Sequence, residues 1–521
     1  MSDIRLSRGL DLWQVIARGA GVIVFAIVFV LLGDIVLAAG SLTPVVFLLA
    51  LLLLLLNLMG YVELALSAPR SGSAYVQVQQ AEGGALGFFT GWCLLLSGLG
   101  LCALLVHGFG AQVAVLIEDH LGLGLPSWPW AVGLVLLVAF SNAVGTRNGR
   151  RGLVTVLILL LAFLLGFTLL ALPEFKFDGY GGGSQNWTEA LTLVTASFVG
   201  LEITASLQNE MRRREQGVPR AVFWTPVLAA VFGAVISTVA IGVVRPELPA
   251  DSQSVLALFG DTVAGGAGRP LILAVGALAL ALALNGAFVL VVRLFYVMGK
   301  DGYWPAGLLR MHPRSGTPIW IIGLVGAILV PLSAVPVQFL SRVTGFLYLV
   351  VLMGVNLALV LREQPDTAVF KLPFHPWVPG LALAVDVLIS PLWGMTYLAW
   401  AAGCLGIGAL LYLAYARGHQ VEAQEGVIVF KPPAVEEARV GYRVLVPIAN
   451  PATAGNLLRL AGVLAREQGG EVVALQVVTV PEQIPLEEGR HRAAVGRVLL
   501  ERAMAQAKEE GFAIQTMTRV A

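Results

Sequence analysis

Two carboxyl side chains stand inside apolar runs, where ionisable groups are rare. Glu202 closes the stretch Ser197-Phe198-Val199-Gly200-Leu201-Glu202, and Asp34 follows Leu31-Leu32-Gly33. Placing such a group at the centre of a bilayer costs about 3 kcal/mol on the translocon scale, so each calls for a function or a partner. Glu202 reads in two ways: a protonatable group that couples conformation to protons, or a carboxyl that caps a broken helix through hydrogen bonds. Asp34 also reads in two ways. It is a cation-attracting group, or it lies far enough out to reach water, an outer loop or a backbone amide. Arg293 either snorkels or closes an inner vestibule through an ion pair. His107 is a lone imidazole, expected to be hydrogen-bonded among helices. Cys93, Cys102 and Cys404 show no ligand spacing and read as small buried hydrophobes. No nucleophile–base pair or metal-ligand cluster emerges. An enzyme is therefore the least favoured class, and neither cofactor nor metal is expected.

The elements that must position these groups are set by composition. The chain has 521 residues, 57% hydrophobic and only 12% charged, with a net charge of +1. A soluble domain carries about 25% charged residues. The lipid bilayer is therefore the expected partner, and nucleic acid is not. A spanning helix needs about 20 apolar residues. The sequence predicts twelve such segments: Leu12–Ala39, Pro44–Leu66, Gly87–Ile117, Trp130–Val144, Leu153–Leu172, Glu189–Leu207, Ala221–Val244, Pro270–Met298, Ile319–Val335, Phe339–Leu361, Pro379–Leu392 and Met395–Ala416. Arg5, Arg8, Arg70, the cluster Arg147 to Arg151, the cluster Arg212 to Arg220, Lys300, Arg310, Arg314, Arg362, Lys371 and Arg417 gather on one side. The other side holds Lys176, Arg245 and Arg269. The positive-inside rule then puts both termini in the cytosol, in a multi-pass protein of the cytoplasmic membrane. The Gly- and Pro-rich loops Glu118–Pro129, Pro173–Trp187 and Arg245–Arg269 face outward. As one helix, the first segment would reach about 42 Å, against a hydrocarbon core of about 30 Å. It must tilt or break, and Gly19, Gly21 and Gly33 allow a break, as Gly200 does in segment six.

The loops carry an ordered series of motifs. Tyr61-Val-Glu63-Leu-Ala65 and Pro69-Arg70-Ser-Gly72-Ser-Ala-Tyr75 follow segment two. Asn209-Glu210-Met-Arg212-Arg213-Arg214-Glu215 runs on to Pro219-Arg220 after segment six. Lys300-Asp301-Gly302-Tyr-Trp-Pro305 and His312-Pro313-Arg314-Ser-Gly316-Thr317-Pro318 follow segment eight, and Phe370-Lys-Leu-Pro373-Phe-His-Pro376 follows segment ten. Over roughly the first 415 residues this series resembles the amino acid permeases of the amino acid–polyamine–organocation superfamily. The resemblance implies an all-α membrane fold of twelve transmembrane helices, with a five-plus-five inverted repeat and two peripheral helices. It also implies that segments one and six are discontinuous at the midplane, where half-helix ends bind the substrate.

Carried onto this sequence, the pattern makes Ala196 to Gly200 the unwound stretch of segment six and Phe198 a gate beside the substrate. Segment one departs from the family. Where a Gly-x-Gly-Ile-Phe stretch is usual, it reads Val24-Phe25-Ala26-Ile27-Val28, whose bulky side chains crowd the backbone; Gly19 and Gly21 are candidates to take over. Segment five places Leu159 where some proton-coupled members have a Lys, and segment eight offers Asn285 near its middle. The expected substrate contacts are Gly19, Gly21, Val24, Phe25, Ala26, Ala196, Ser197, Phe198, Val199, Gly200 and Asn285. The expected coupling groups are Glu202 and Asp34.

The last stretch turns polar. Residues 1–418 read as the permease domain and 419–440 as a linker. Residues 441–521 read as a small cytosolic α/β domain, with strands at Tyr442–Ile448, Glu471–Val478 and Ala513–Val520 alternating with helices at Ala452–Gln468 and Arg492–Glu510. Such alternation indicates a parallel sheet. The order resembles a universal stress protein domain without its phosphate loop, and Ala449-Asn450 stands where that family has an Asp. A partial sheet with a free edge makes a second copy of the chain a candidate partner. The leading function is a secondary transporter of amino acids or related amines, working by alternating access and coupled to protons if Glu202 or Asp34 titrates. An inorganic cation carrier for potassium and a non-transporting receptor or scaffold are the alternatives.

Overall fold

In the computed structural model the described residues are 10–67, 73–145, 150–176, 186–211, 214–244, 252–312, 315–362, 374–420, 429–430, 443–447, 451–478 and 514–520. The motif residues 69–72, 212–213, 313–314 and 370–373 lie outside them. So do Arg5, Arg8, Arg147, Arg245, Ala449-Asn450 and the helix expected at Arg492–Glu510. The chain divides into two compact units, Met1–Glu422 and Ala423–Ala521.

The first unit is helical. Its helices are α1 (Leu12–Ala26), α2 (Leu32–Ala39), α3 (Thr43–Ser67), α4 (Ala74–Ala81), α5 (Gly84–Leu121), α6 (Trp128–Val144), α7 (Arg150–Leu170), α8 (Trp187–Ser197), α9 (Leu201–Ser206), α10 (Arg214–Val244), α11 (Ser252–Ala264), α12 (Gly268–Lys300), α13 (Ile319–Leu332), α14 (Val337–Leu361), α15 (Trp377–Ile389), α16 (Met395–Leu411) and the single turn α17 (Arg417–His419). A helix occupies each apolar segment read from the sequence. Among the described residues, seven helical stretches are long and apolar enough to cross a bilayer, and Trp128–Val144, Ile319–Leu332 and Trp377–Trp393 are shorter apolar helices. The chain is a multi-pass membrane protein. Leu136, Phe140, Leu159, Trp320 and Leu388 are apolar and exposed, as a lipid-facing surface requires. The core is organised around α5, which packs against α12 and α14. Two elements went unread in the sequence. α4 forms inside the loop after α3, and α11 forms inside Arg245–Arg269, which was expected to be irregular.

The expected break in the first segment is in a different place. Gly19 and Gly21 sit in regular α-helix, and the irregularity is a π-turn over Ile27–Leu31. The two glycines serve packing instead: a Cβ on Gly19 would run into the Thr204 side chain, and one on Gly21 into Leu157. Segment six is not unwound over Ala196–Gly200 either. Ala196 and Ser197 stay in α8, and Phe198–Gly200 tightens into a single 3-10 turn before α9.

The second unit holds β1 (Val429–Phe430), β2 (Arg443–Pro447), α18 (Pro451–Glu467), β3 (Glu471–Val478) and β4 (Ile514–Val520). The strand order is β1-β4-β3-β2. β2, β3 and β4 pair in parallel, as the alternation of elements predicts. β1 arises within the stretch read as linker and pairs antiparallel with β4, Val429 opposite Arg519. Val446, Val472 and Ala474 of the sheet pack on Leu458, Ala461 and Ala465 of α18.

Candidate functional site

Segments one and six lie antiparallel and are joined at both ends. The Asn186 amide donates to Ala38 O at 2.9 Å, and the Leu10 amide donates to Glu210 O at 3.0 Å. Midway, Gly200 packs on Ile23: a Cβ there would stand 2.8 Å from Ile23 Cγ1 and 3.4 Å from its amide nitrogen. The two irregular turns therefore lie in the middle of the pair, where Val22 to Leu32 and Ala196 to Gly200 are all buried. A π-turn shifts the helical hydrogen-bond ladder and frees backbone groups, which is why such turns gather at functional sites. Phe29 O is one such group, and it accepts from Gln112 Nε2 of α5 at 3.1 Å. Gln112 is fully buried, and its Oε1 has no hydrogen-bond partner among the described residues. The sequence reading missed this residue; a lone amide in the apolar run of α5 was the available signal.

The predicted contacts separate into those the fold brings together and those it does not. Val24, Phe25 and Ala26 approach the irregular turn of segment one, with the Phe25 and Phe29 rings 6.0 Å apart. Ala196, Ser197, Phe198, Val199 and Gly200 form the facing turn of segment six. Gly19 and Gly21 lie away from it, in helix contacts. Asn285 turns toward α6, where it accepts from Asn142 Nδ2 at 2.9 Å; its neighbour Gly286 is the residue that faces Val22 and Ile203. Asp34, half-buried, accepts from Gln338 Nε2 of α14 at 2.9 Å. His107 Nδ1 lies 3.1 Å from Ser333 O, the bundle hydrogen bond expected of it.

Glu202 is fully buried. Its Oε2 accepts from the Ala74 amide at 2.9 Å and from the Tyr61 hydroxyl at 3.1 Å. Ala74 opens α4, so the carboxyl sits at the end of a helix where free amides and the helix dipole favour an acceptor. Among the described residues, Glu202 Oε1 and the buried Tyr348 hydroxyl have no hydrogen-bond partner. The carboxyl thus caps a helix, but that helix is α4 rather than either half of segment six.

The loop motifs meet at one end of the bundle. Tyr75 donates to Asp301 Oδ2 at 2.5 Å across 226 residues of sequence. Tyr303 donates to Gln79 at 2.9 Å, and Gly302 lies in the left-handed region at φ 89°, close against His419 O. Burial pushes the Tyr303 phenol up to about 12, although its hydrogen bond to Gln79 pulls the other way. Arg293 pairs with Glu210 at 3.3 Å, the ion-pair alternative for that residue. At the opposite end, Arg342 of α14 pairs with Glu189 of α8 and donates to the Tyr397 hydroxyl at 3.1 Å. Between these ends, Ala50, Leu53 and Leu54 of α3, Thr195 and Phe198, and Gly345, Tyr348, Leu349 and Leu352 of α14 enclose a crevice of about 10 Å³, room for about one water.

A family model described as amino acid permease matches residues 10–433 of this chain. The chain is 25% identical over 451 residues to the branched-chain amino acid permease BcaP of Bacillus subtilis, with 80% of this chain and 94% of the relative covered. It is 26% identical over 450 residues to the low-affinity putrescine importer PlaP of Escherichia coli, covering 79% and 94%. It is 22% identical over 446 residues to the methylthioribose transporter of B. subtilis, covering 80% and 95%.

Proposed function

Since this chain belongs to the amino acid permease family, we propose that it is a secondary transporter that moves amino acids or related amines across the cytoplasmic membrane by alternating access. The observation that carries the reading is the antiparallel pair of segments one and six, each with an irregular turn in its middle part: Phe198–Gly200, packed on Ile23, and Ile27–Leu31, about one helical turn further along segment one. Irregular backbone at membrane depth is tolerated where protein encloses it and is the usual way transporters build a substrate site. The pairing supports two inverted repeats of five as well, the twelve apolar segments support twelve crossings, and the loop charges support both termini in the cytosol.

The substrate lies against Val24, Phe25, Ala26, Phe198, Val199 and Gly200. These side chains are apolar and favour a neutral amino acid with an apolar side chain over a diamine. The substrates named for the relatives, from branched-chain amino acids to putrescine, bracket that class. Nothing favours the inorganic cation carrier or the receptor reading over transport. The conformation is closed at both ends: Arg342 with Glu189 and Gln338 with Asp34 on one side, Arg293 with Glu210 on the other. Proton coupling through Glu202 or Asp34 is the remaining expectation. The cap on α4 gives Glu202 a structural duty that needs no titration, and the half-buried Asp34 is held by Gln338. The α/β unit is a regulatory module resembling a universal stress protein domain, and β2 offers an edge to a second copy of the chain. A scintillation-proximity screen of amino acids and amines on the purified protein tests the reading; it predicts saturable binding of an apolar amino acid that Phe198→Ala weakens.

A further inference from the structure

A second buried polar cluster lies outside the crossing of segments one and six. It joins Asn57 of α3, Asn356 of α14 and Asp386 of α15, all three fully buried. Asn57 Nδ2 donates to Asp386 Oδ1 at 3.1 Å and to Leu53 O at 3.0 Å. Asn356 Nδ2 donates to Asn57 Oδ1 at 2.6 Å and to Leu352 O at 3.0 Å. The orientation of both amides is fixed, because the carbonyl one turn back can only accept. Each amide nitrogen has two hydrogens, so all the donors of the cluster are committed. Two acceptors remain, Asp386 Oδ2 and Asn356 Oδ1, and neither has a partner among the described residues. The cluster is short of a donor. A buried acceptor left unmet is costly, and a carboxylate at membrane depth more so.

We propose that Asp386 is a proton-binding site whose protonated form locks α15 and α3 onto α14 in the conformation described. A proton added to Oδ2 turns an unmet acceptor into an O–H donor and removes the negative charge in the same step. An inorganic cation fits less well, since two free oxygens cannot replace its hydration shell. The surroundings leave the role to Asp386. The titratable and charged groups on α3 and α14 are Tyr61, Glu63, Arg342 and Tyr348. Tyr61 donates to Glu202, Arg342 engages Glu189 and Tyr397, and Glu63 is engaged by other groups. Tyr348 lies beside Glu202 and Tyr61. His375, just before α15, is held at Leu359 O, 2.8 Å away. α15 itself and the turn Ser390–Trp393 hold no other charged residue.

The site is also placed to matter for transport, a consequence that rests on the proposed function. Leu53 and Leu352, whose carbonyls anchor the two amides, line the crevice that holds Phe198. Loss of the proton returns a charge with an unmet oxygen between three helices and favours their separation beside that crevice.

The test is infrared difference spectroscopy on the full-length protein in lipid nanodiscs, between acid and alkaline buffer. The wild type is expected to lose a protonated-carboxyl band as the buffer turns alkaline. That band is absent in Asp386→Asn and retained in Glu202→Gln, and Asp386→Asn also flattens the alkaline fall in unfolding temperature. Should Asp386→Asn fail to fold, Asp386→Glu serves, with a band moved in frequency. A spectrum unchanged by either Asp386 variant overturns the proposal. So does an unfolding temperature raised by sodium or potassium chloride over choline chloride in the wild type but not in Asp386→Asn, which assigns the site to a metal cation. Neither result bears on whether the protein transports amino acids.

Discussion

The backbone amide of Ala74 donates to Glu202 Oε2 at 2.9 Å, so a carboxyl in segment six closes the N-terminus of a helix in the loop after segment two. The Tyr61 hydroxyl shares the same oxygen. Glu202→Gln keeps an acceptor there and is expected to fold with a small loss of unfolding temperature. Glu202→Ala leaves a buried amide and a buried hydroxyl unmet, at about 1–3 kcal/mol each. Thermal unfolding in detergent compares the two. In proteoliposomes with an imposed pH gradient, Glu202→Gln is expected to keep gradient-driven accumulation. Loss of the gradient response with retained substrate exchange would return proton coupling to Glu202.

Gly200 stands against Ile23 with no room for a methyl group. Gly200→Ala forces the two segments apart, at about 1–3 kcal/mol for overpacking. Uptake is expected to fall about tenfold or more, about 1.4 kcal/mol per factor of ten. Gly166→Ala, where a Cβ meets nothing, serves as the control and should leave uptake unchanged.

Tyr75 and Asp301 connect two loop motifs through a hydrogen bond to a charged group. Such bonds contribute about 1.5–3 kcal/mol. A double-mutant cycle of Tyr75→Phe and Asp301→Asn, read by unfolding, should give a coupling of about 1 kcal/mol or more. A coupling near zero would make the contact incidental.

Tyr303 holds its proton up to about pH 12 when folded and to about 10 when unfolded. Between those values the unfolded state binds fewer protons, so stability falls as pH rises. The Tyr303 contribution is fully present below about pH 10. Unfolding temperature measured against pH should show this alkaline loss in the wild type and a smaller one in Tyr303→Phe.

The helices were legible because long apolar runs admit few other structures in a bilayer, and the parallel pairing of β2, β3 and β4 followed from alternating patterns. The placement of the breaks was not. Glycine content pointed to Gly19 and Gly21, yet both are spent on contact with Thr204 and Leu157, while the π-turn falls on Ile27–Leu31, all bulky residues. A glycine licenses a break and a close approach equally, and only the neighbouring helix decides between them. Asp386 went unread although it stands in the middle of the short segment Pro379–Leu392, because a single acid there names no partner. Asn57 lies 329 positions from it, and Asn356 reaches the cluster only through Asn57, so no local spacing reveals the three together.

The central claim is transport of an amino acid or amine through the crossing of segments one and six. Uptake of radiolabelled leucine, lysine and putrescine into proteoliposomes that hold the purified chain tests it most directly. The account predicts saturable uptake, leucine fastest, cut at least tenfold by Phe198→Ala, about 1.4 kcal/mol or more. Uptake of all three no faster than into protein-free liposomes, under inward and outward gradients alike, would contradict it.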